Sequence, residues 1–185
     1  MLSDKIWVTR KVRIYTEGRL QRYNNISQLL MNLYSLALVS LSIWNLQNND
    51  AELNLVSAFA SIALLVISVH AASQKYAERS IAMRNLYVKL DELYSKVKRA
   101  ENSEDIEMLQ NLESEYTSLL INIENHSEYD YLCLRYSLKD NPDTTLPSFT
   151  NADAFRYFLG KLWRGALTTV LFGISIPPIV LIWFW

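Results

Sequence analysis

Residues 27–46 and 53–72 form two apolar stretches, each about twenty residues long, with no Asp, Glu, Lys or Arg in either. Twenty helical residues rise roughly 30 Å, the thickness of a bilayer's hydrocarbon core. Only the polar link Gln47-Asn48-Asn49-Asp50-Ala51-Glu52 separates them. The pattern predicts a transmembrane helical hairpin over residues 26–72. A third uncharged block, Ala166–Trp185, follows Lys161 and Arg164 and predicts a C-terminal span within 164–185. Pro177-Pro178 removes two backbone donors and predicts a kink there. The alternative is a re-entrant or interfacial segment with the proline pair as its turn. Trp163 at one end and Trp183, Phe184 and Trp185 at the other fit two interfacial aromatic belts.

Between the spans lies a different period. From Ser73 to Arg99 there is no Gly or Pro, and Met83, Leu86, Tyr87, Leu90, Tyr94 and Val97 recur at helical steps. The second span is therefore expected to continue as one long helix. Ala100–Asp105 reads as a tight connection with Asn102 or Ser103 as N-cap. A second stripe follows: Leu109, Leu112, Tyr116, Leu119, Leu120 and Ile123. The two stripes predict a helical hairpin, closed within one chain or between subunits. Asn141–Ser148 is a loop by composition. Asp153–Trp163 reads as a short aromatic helix at headgroup level.

Charge sets the topology. Residues 1–25 carry six Lys/Arg against two acids and residues 73–100 seven against three, whereas the link 47–52 has two acids and no base. Basic flanks stay on the cytoplasmic side. The N-terminus and the helical domain are thus expected inside, with the link and the C-terminus outside, across a bacterial-type inner membrane. Residues 101–130 hold nine acids and no Lys or Arg, so an acidic helix is expected to fold back on a basic one. Exposed ion pairs contribute only about 0.2–1 kcal/mol each, leaving the apolar stripes to do most of the stabilising. The single cysteine, Cys133, excludes an internal disulfide. No cleavable signal peptide is visible.

The expected fold class is an all-α membrane protein: a transmembrane hairpin, a long cytoplasmic helical hairpin and a C-terminal third span. Its parts are a basic N-terminal segment (1–25), the membrane hairpin (26–72), a cytoplasmic helical domain (73–163) and the last span (164–185).

Three sets of residues are candidates for function. Gln28, Asn32, Ser35, Ser42 and Asn45 share one face of the first span, and Asn54, Ser57, Ser61 and Ser68 one face of the second. Any one serine is most simply a helix-contact residue. As a set, they suit a homo-oligomer that turns one polar face to water. Glu124, Asn125, His126, Ser127, Asp130 and Tyr131 form the densest cluster of reactive side chains. His126 and Asp130 stand four apart, where a carboxylate can orient an imidazole on a helix. The cluster lacks the further ligands a metal needs and any nucleophile at diagnostic spacing, so capping and a hydrogen-bonded junction are the expected roles. Neither a catalytic residue, nor a cofactor, nor a metal is expected, and Gly is too scarce for a phosphate loop. Arg10, Lys11, Arg13, Arg19 and Arg22 are suited to anionic lipid headgroups. Topology already accounts for these bases, which disfavours direct nucleic-acid binding.

The arrangement resembles the SLATT family, small bacterial membrane effectors with two spans followed by a helical cytoplasmic hairpin. The resemblance is carried by Arg19-Leu20-Gln21-Arg22-Tyr23, the span pair, the helix after Ser73, and Tyr116 through Leu120 leading to Glu124-Asn125-His126-Ser127 and Asp130-Tyr131. The last element is the most specific. The resemblance implies an effector of anti-phage conflict systems, encoded beside a nucleotide synthase or a reverse transcriptase, that perturbs the membrane when triggered. The expected function is a homo-oligomeric pore that depolarises the cell. The alternative is a membrane-anchored helical module that recruits a partner enzyme.

Overall fold

The computed structural model describes residues 1–48, 50–121, 123–141 and 146–181, among which there are six helices. These are α1 (Leu2–Asn48), α2 (Ala51–Ser73), α3 (Tyr76–Asn102), α4 (Ile106–Ile121), α5 (Glu128–Ser137) and α6 (Asn151–Leu181). The chain is all-helical, and two stretches, Leu2–Leu46 and Ala51–Asn102, contain a window long and apolar enough to cross a bilayer. The chain divides into two compact units. One comprises Met1–Gln21 and Ala77–Gly160, the other Arg22–Tyr76 and the residues from Lys161 onward.

In the first unit the hairpin of α3 and α4 is present, and its core is largely the one the stripes predict. Met83, Leu86, Leu90, Val97 and Leu112 are buried, joined by Leu93 and Ala100. Leu109, Tyr116, Leu119, Leu120 and Ile123 pack against that core. A third helix completes it. The first five turns of α1 are not a separate basic segment: Ile6, Val12, Thr16 and Leu20 are buried, and Ile6 belongs to the same cluster as Leu90 and Val97. Val12, Thr16 and Leu20 recur every four residues and Ile6 lies two heptads before Leu20, but the intervening Lys and Arg residues mask the stripe in a plain reading of charge.

The contacts give the directions. Ser3 donates its backbone N–H to Glu101 at 3.1 Å, Arg10 pairs with Asp91, and Arg84 meets Glu17 at 2.8 Å. Rising numbers on α1 meet falling numbers on α3, so the two helices are antiparallel. Thr9 bonds the Tyr116 hydroxyl at 2.8 Å and Arg13 the Glu124 carbonyl at 2.6 Å, so α1 and α4 run parallel. The basic helix α3 thus finds acids on α1 and at Glu124 (through Arg79), not only on α4 as net charge suggested.

The N-cap of α4 is Asp105, whose carboxylate accepts from the Met108 N–H at 3.0 Å, rather than Asn102 or Ser103. The helix α3 runs on to Asn102 and pushes the cap downstream. Helix α5 packs on the start of α6 through rings: Tyr136 stacks on Tyr157 with centroids 4.1 Å apart, and Tyr129 on Tyr157 at 6.1 Å. A Cβ at Gly160 would lie 2.7 Å from the Tyr129 ring, so glycine makes room for this packing.

In the second unit the remainder of α1, all of α2 and the later part of α6 lie together. Helix α1 reaches Asn48 and α2 starts at Ala51, a tighter reversal than the six-residue link suggested. The Asp50 side chain caps α2 through the Glu52 and Leu53 N–H groups at 2.9 and 3.3 Å. No residue of α2 is buried, and its large apolar side chains stand in the open, as lipid-facing positions do. Two expectations are corrected here. The second span does not run on into α3: the helix stops at Ser73, Gln74 caps it, and Lys75 adopts a left-handed φ of 50° before α3 begins. Nor is there a separate short aromatic helix, because α6 is unbroken from Asn151 through positions 177 and 178 to Leu181. The glycines at 160 and 165 weaken a helix but do not stop it. Trp183, Phe184 and Trp185, and part of the 141–148 loop, lie outside the described residues.

Glu104, between α3 and α4, also sits at positive φ (55°). A left-handed conformation costs a non-glycine residue about 1–2 kcal/mol, partly offset by the greater unfolded-state freedom of glycine. Glu104→Gly is therefore expected to stabilise the protein by roughly 0.5–1 kcal/mol, read as a raised midpoint in urea unfolding of the solubilised full chain.

Candidate functional site

The segment 124–131 is built from its own backbone outward. Ser127 is the N-cap of α5, and Asp130 is its N3 residue. The Ser127 hydroxyl accepts the Asp130 N–H at 3.2 Å while the Asp130 carboxylate accepts the Ser127 N–H at 3.1 Å. This is a capping box with Asp in the place usually held by Glu or Gln.

The same carboxylate is the meeting point of α1 and α5. Asp130 is 2% exposed and Thr16 fully buried. Arg19 donates Nε to Oδ1 at 2.8 Å and Nη2 to Oδ2 at 2.9 Å, a bidentate fork, and Thr16 donates to Oδ2 at 3.0 Å. Burial alone would raise the Asp130 pKa; the Arg19 fork and the two Ser127 bonds outweigh it and hold the carboxyl below its ordinary value. One turn earlier on α1, Arg13 bonds the Glu124 carbonyl, and Arg79 forks onto the Glu124 carboxylate at 2.8 and 3.0 Å. The loop before α5 is thus tied down at both ends by arginines.

His126 is not part of that tie. It precedes the helix, so the four-residue step to Asp130 does not place the two on one helical face; Asp130 is spent on Arg19, Thr16 and Ser127. The His126 ring lies 6.3 Å from the Tyr131 ring, with its shielded Nδ1 unbonded among the described residues. Burial, then the charge of Arg13, lowers its pKa below the usual 6.5 despite Asp130. Asn125 turns its side-chain oxygen to the His126 N–H at 2.9 Å. His126, Asn125 and Tyr131 line a cleft of about 570 Å³ that also involves Arg135 and Arg156. Among the described residues no group of three or more His, Cys, Asp or Glu side chains is arranged to hold a metal.

The other candidates sort by partner. Of the basic residues, Arg10, Arg13 and Arg19 are engaged with Asp91, the Glu124 carbonyl and Asp130 respectively. Lys11 lies over the Trp7 ring at 5.8 Å, and Arg22 is exposed. Of the polar span residues, Asn45 is buried; it accepts the Asp50 N–H at 2.9 Å and donates to Asn54, closing the hairpin. Ser42, Ser57, Ser61 and Ser68 donate to carbonyls of their own helices. Gln28 reaches Asn24 one turn back at 3.3 Å. Gln28, Asn32, Ser35 and Ser42 all face outward on α1. Thr16 and Arg79 were not among the sequence candidates. Thr16 carries a detectable signal: it is the one polar member of the stripe Ile6, Val12, Thr16, Leu20. Arg79 carries none.

Removing the charge at position 130 tests the network. Asp130→Asn leaves Arg19, 19% exposed, without its counter-charge, and is expected to cost about 3–5 kcal/mol, measured by urea unfolding of the solubilised full chain. Acid tests it independently. The lowered His126 pKa means that the unfolded chain takes up that proton first, so stability declines as pH falls below 6.5. The lowered Asp130 pKa adds a second decline as pH falls below 3.8 and through the folded-state value. Stability measured against pH in Asp130→Asn is expected to keep the first limb and to show a shallower second one, since Glu92 and Asp153 also hold lowered pKa values.

The family model described as "SMODS and SLOG-associating 2TM effector domain family 5" matches residues 1–184. No curated protein and no solved structure matches the chain. The match takes in the membrane hairpin, the three-helix unit and the arginine-tied loop together, and the chain belongs to this fifth family of SLATT two-transmembrane effector domains.

Proposed function

We propose that the protein is a homo-oligomeric inner-membrane effector that, once triggered, forms or opens a pore and depolarises the cell in anti-phage defence. The observation that carries this reading is the outward stripe on α1: Gln28, Asn32, Ser35 and Ser42 are exposed along a helix whose charge-free stretch is of bilayer length. The Asn32 amide has no hydrogen-bond partner among the described residues. An amide facing lipid is costly, whereas one facing water or another copy is satisfied. Several copies turning this stripe inward enclose a polar, uncharged path, which one copy with two or three spans cannot do alone.

The N-terminus and helical unit are taken to be cytoplasmic and the C-terminus periplasmic, with α6 as a third span, on the charge asymmetry of the flanks. The trigger comes from a partner system. The family description names association with SMODS and SLOG domains, which suits a functional link to a nucleotide synthase or a reverse transcriptase encoded nearby. No enzymatic step is assigned.

One observation favours a second reading, a membrane anchor that recruits a partner enzyme. The hydroxyls of Ser42, Ser57, Ser61 and Ser68 are spent on their own helices, and Asn45 and Asn54 on each other. None of these six requires water. The two readings part at Asn32 and Ser35. In bacteria loaded with a potential-sensitive dye, the triggered protein is expected to collapse the membrane potential, and the double change Asn32→Leu and Ser35→Ala to restore both potential and growth. Growth arrest with the potential intact refutes the pore; an undiminished collapse in the double variant refutes the stripe as its lining.

A further inference from the structure

At the junction of α2 and α3, local sequence and backbone disagree. Ala51–Asn102 contains no Gly or Pro, yet α2 ends at Ser73 and α3 begins at Tyr76. Gln74 is still in the right-handed helical region (φ −69°, ψ −17°), whereas Lys75 turns left-handed at φ 50°. The backbone bonds tighten there. The Gln74 N–H reaches the Ala71 carbonyl at 3.3 Å and the Lys75 N–H the Ala72 carbonyl at 3.2 Å, three residues back and not four.

The local sequence favours a continuous helix. A helix that stops in a left-handed residue normally does so at glycine or asparagine, and here it does so at lysine. Gln74, Lys75, Ala77 and Glu78 are all good helix formers. Ser73, whose hydroxyl is of the kind that caps a helix start, donates it backward to the His70 carbonyl at 2.7 Å. The break is therefore imposed by packing against local preference.

Tyr76, the residue after the break, supplies such packing. Its ring meets Tyr23 of α1 edge to face with centroids 5.7 Å apart, both within the second unit. A left-handed lysine disfavours the broken form by about fivefold to thirtyfold in population. An aromatic pair offsets about twofold to tenfold of that. Opposed effects of similar size leave the broken and continuous forms close in free energy.

We propose that the junction is a conformational switch: in a second conformation of the chain α2 and α3 join through Gln74–Lys75 into one helix, and the Tyr23–Tyr76 contact latches the broken form. A ligand or partner that binds one form better shifts the chain toward it, so the switch gives a trigger something to act on. It goes beyond the pore reading, because it holds equally for a pore and for an anchor.

Electron paramagnetic resonance distances in the full chain in nanodiscs test this. Nitroxides are placed at Ile67→Cys and Asn85→Cys in a Cys133→Ser background, and labelled chains are diluted into unlabelled ones. Both positions are exposed and stand eighteen residues apart. Eighteen residues are five whole turns, so a continuous helix holds the labels on one face about 27 Å apart, and a break shortens that distance. Tyr23→Ala is expected to raise the population at about 27 Å by twofold to tenfold. Lys75→Ile, a branched side chain poorly tolerated at positive φ, is expected to raise it as well. Adding Lys75→Gly to Tyr23→Ala is expected to lower it again by about fivefold to thirtyfold, because glycine adopts positive φ freely. A long-distance population that neither Tyr23→Ala nor Lys75→Ile raises overturns the proposal, and so does one that Lys75→Gly leaves undiminished.

Discussion

The helical unit depends on one buried carboxylate. Asp130 closes the capping box that starts α5, receives the bidentate fork of Arg19 and satisfies the hydroxyl of Thr16. A charge this deep is tolerated because both of its oxygens are bonded and its counter-ion is adjacent. The consequence is geometric. The start of α5 can occupy only the place on α1 where positions 16 and 19 present donors together, and Arg13 and Arg79 fix the loop upstream at Glu124. A polar anchor of this kind adds little net stability over an apolar one of equal volume. It does specify register: sliding α1 by one turn moves both donors away and strands the charge.

The three α1 donors stand three residues apart, on the stripe that also carries the apolar residues of the core. Helix α1 therefore reads differently along its length. Its first part turns inward a stripe mixing Ile6, Val12 and Leu20 with Thr16, and its later part leaves Gln28, Asn32, Ser35 and Ser42 on the outside while burying Ala37, Ser40 and Asn45. The change follows the solvent. In water a buried polar group needs partners, and apolar burial drives packing. In lipid apolar burial gains nothing between helices, and small residues and interhelical hydrogen bonds hold them together. Asn45 with Asn54 and Tyr34 with the Leu171 carbonyl are such bonds. The outward Gln28 amide bonds Asn24 on its own helix, and the outward Asn32 amide has no such bond among the described residues.

Much of this was legible in the sequence, for reasons that differ by element. The membrane hairpin and the α3–α4 stripes are periodic and long, and both were readable from spacing alone. The cluster 124–131 was visible as a concentration of polar residues, but its wiring was not. Capping and a hydrogen-bonded junction were the roles expected of it, and the Ser127–Asp130 box is such a cap; the helical step from His126 to Asp130 allowed an imidazole–carboxylate pair as well, but the helix starts too late for it. The true partners, Thr16 and Arg19, lie 114 and 111 residues away in sequence, and no local rule connects them. The break at Gln74–Lys75 was equally hidden, since no glycine or proline marks it. The basic residues before the first span were read as a flank because charge was counted and periodicity was not.

That misreading has a physical lesson for the membrane side of the molecule. A flank rich in Lys and Arg ordinarily gives both orientation and headgroup attraction, yet here Arg10, Arg13 and Arg19 are engaged with protein oxygens. Their charge still counts for orientation, which depends on the chain during insertion. It counts for less as lipid attraction, because a paired cation presents little net field beyond a Debye length. Arg22, exposed at the start of the second unit, is not engaged in this way among the described residues. The first part of the basic run thus holds the helical unit together through Arg10, Arg13 and Arg19.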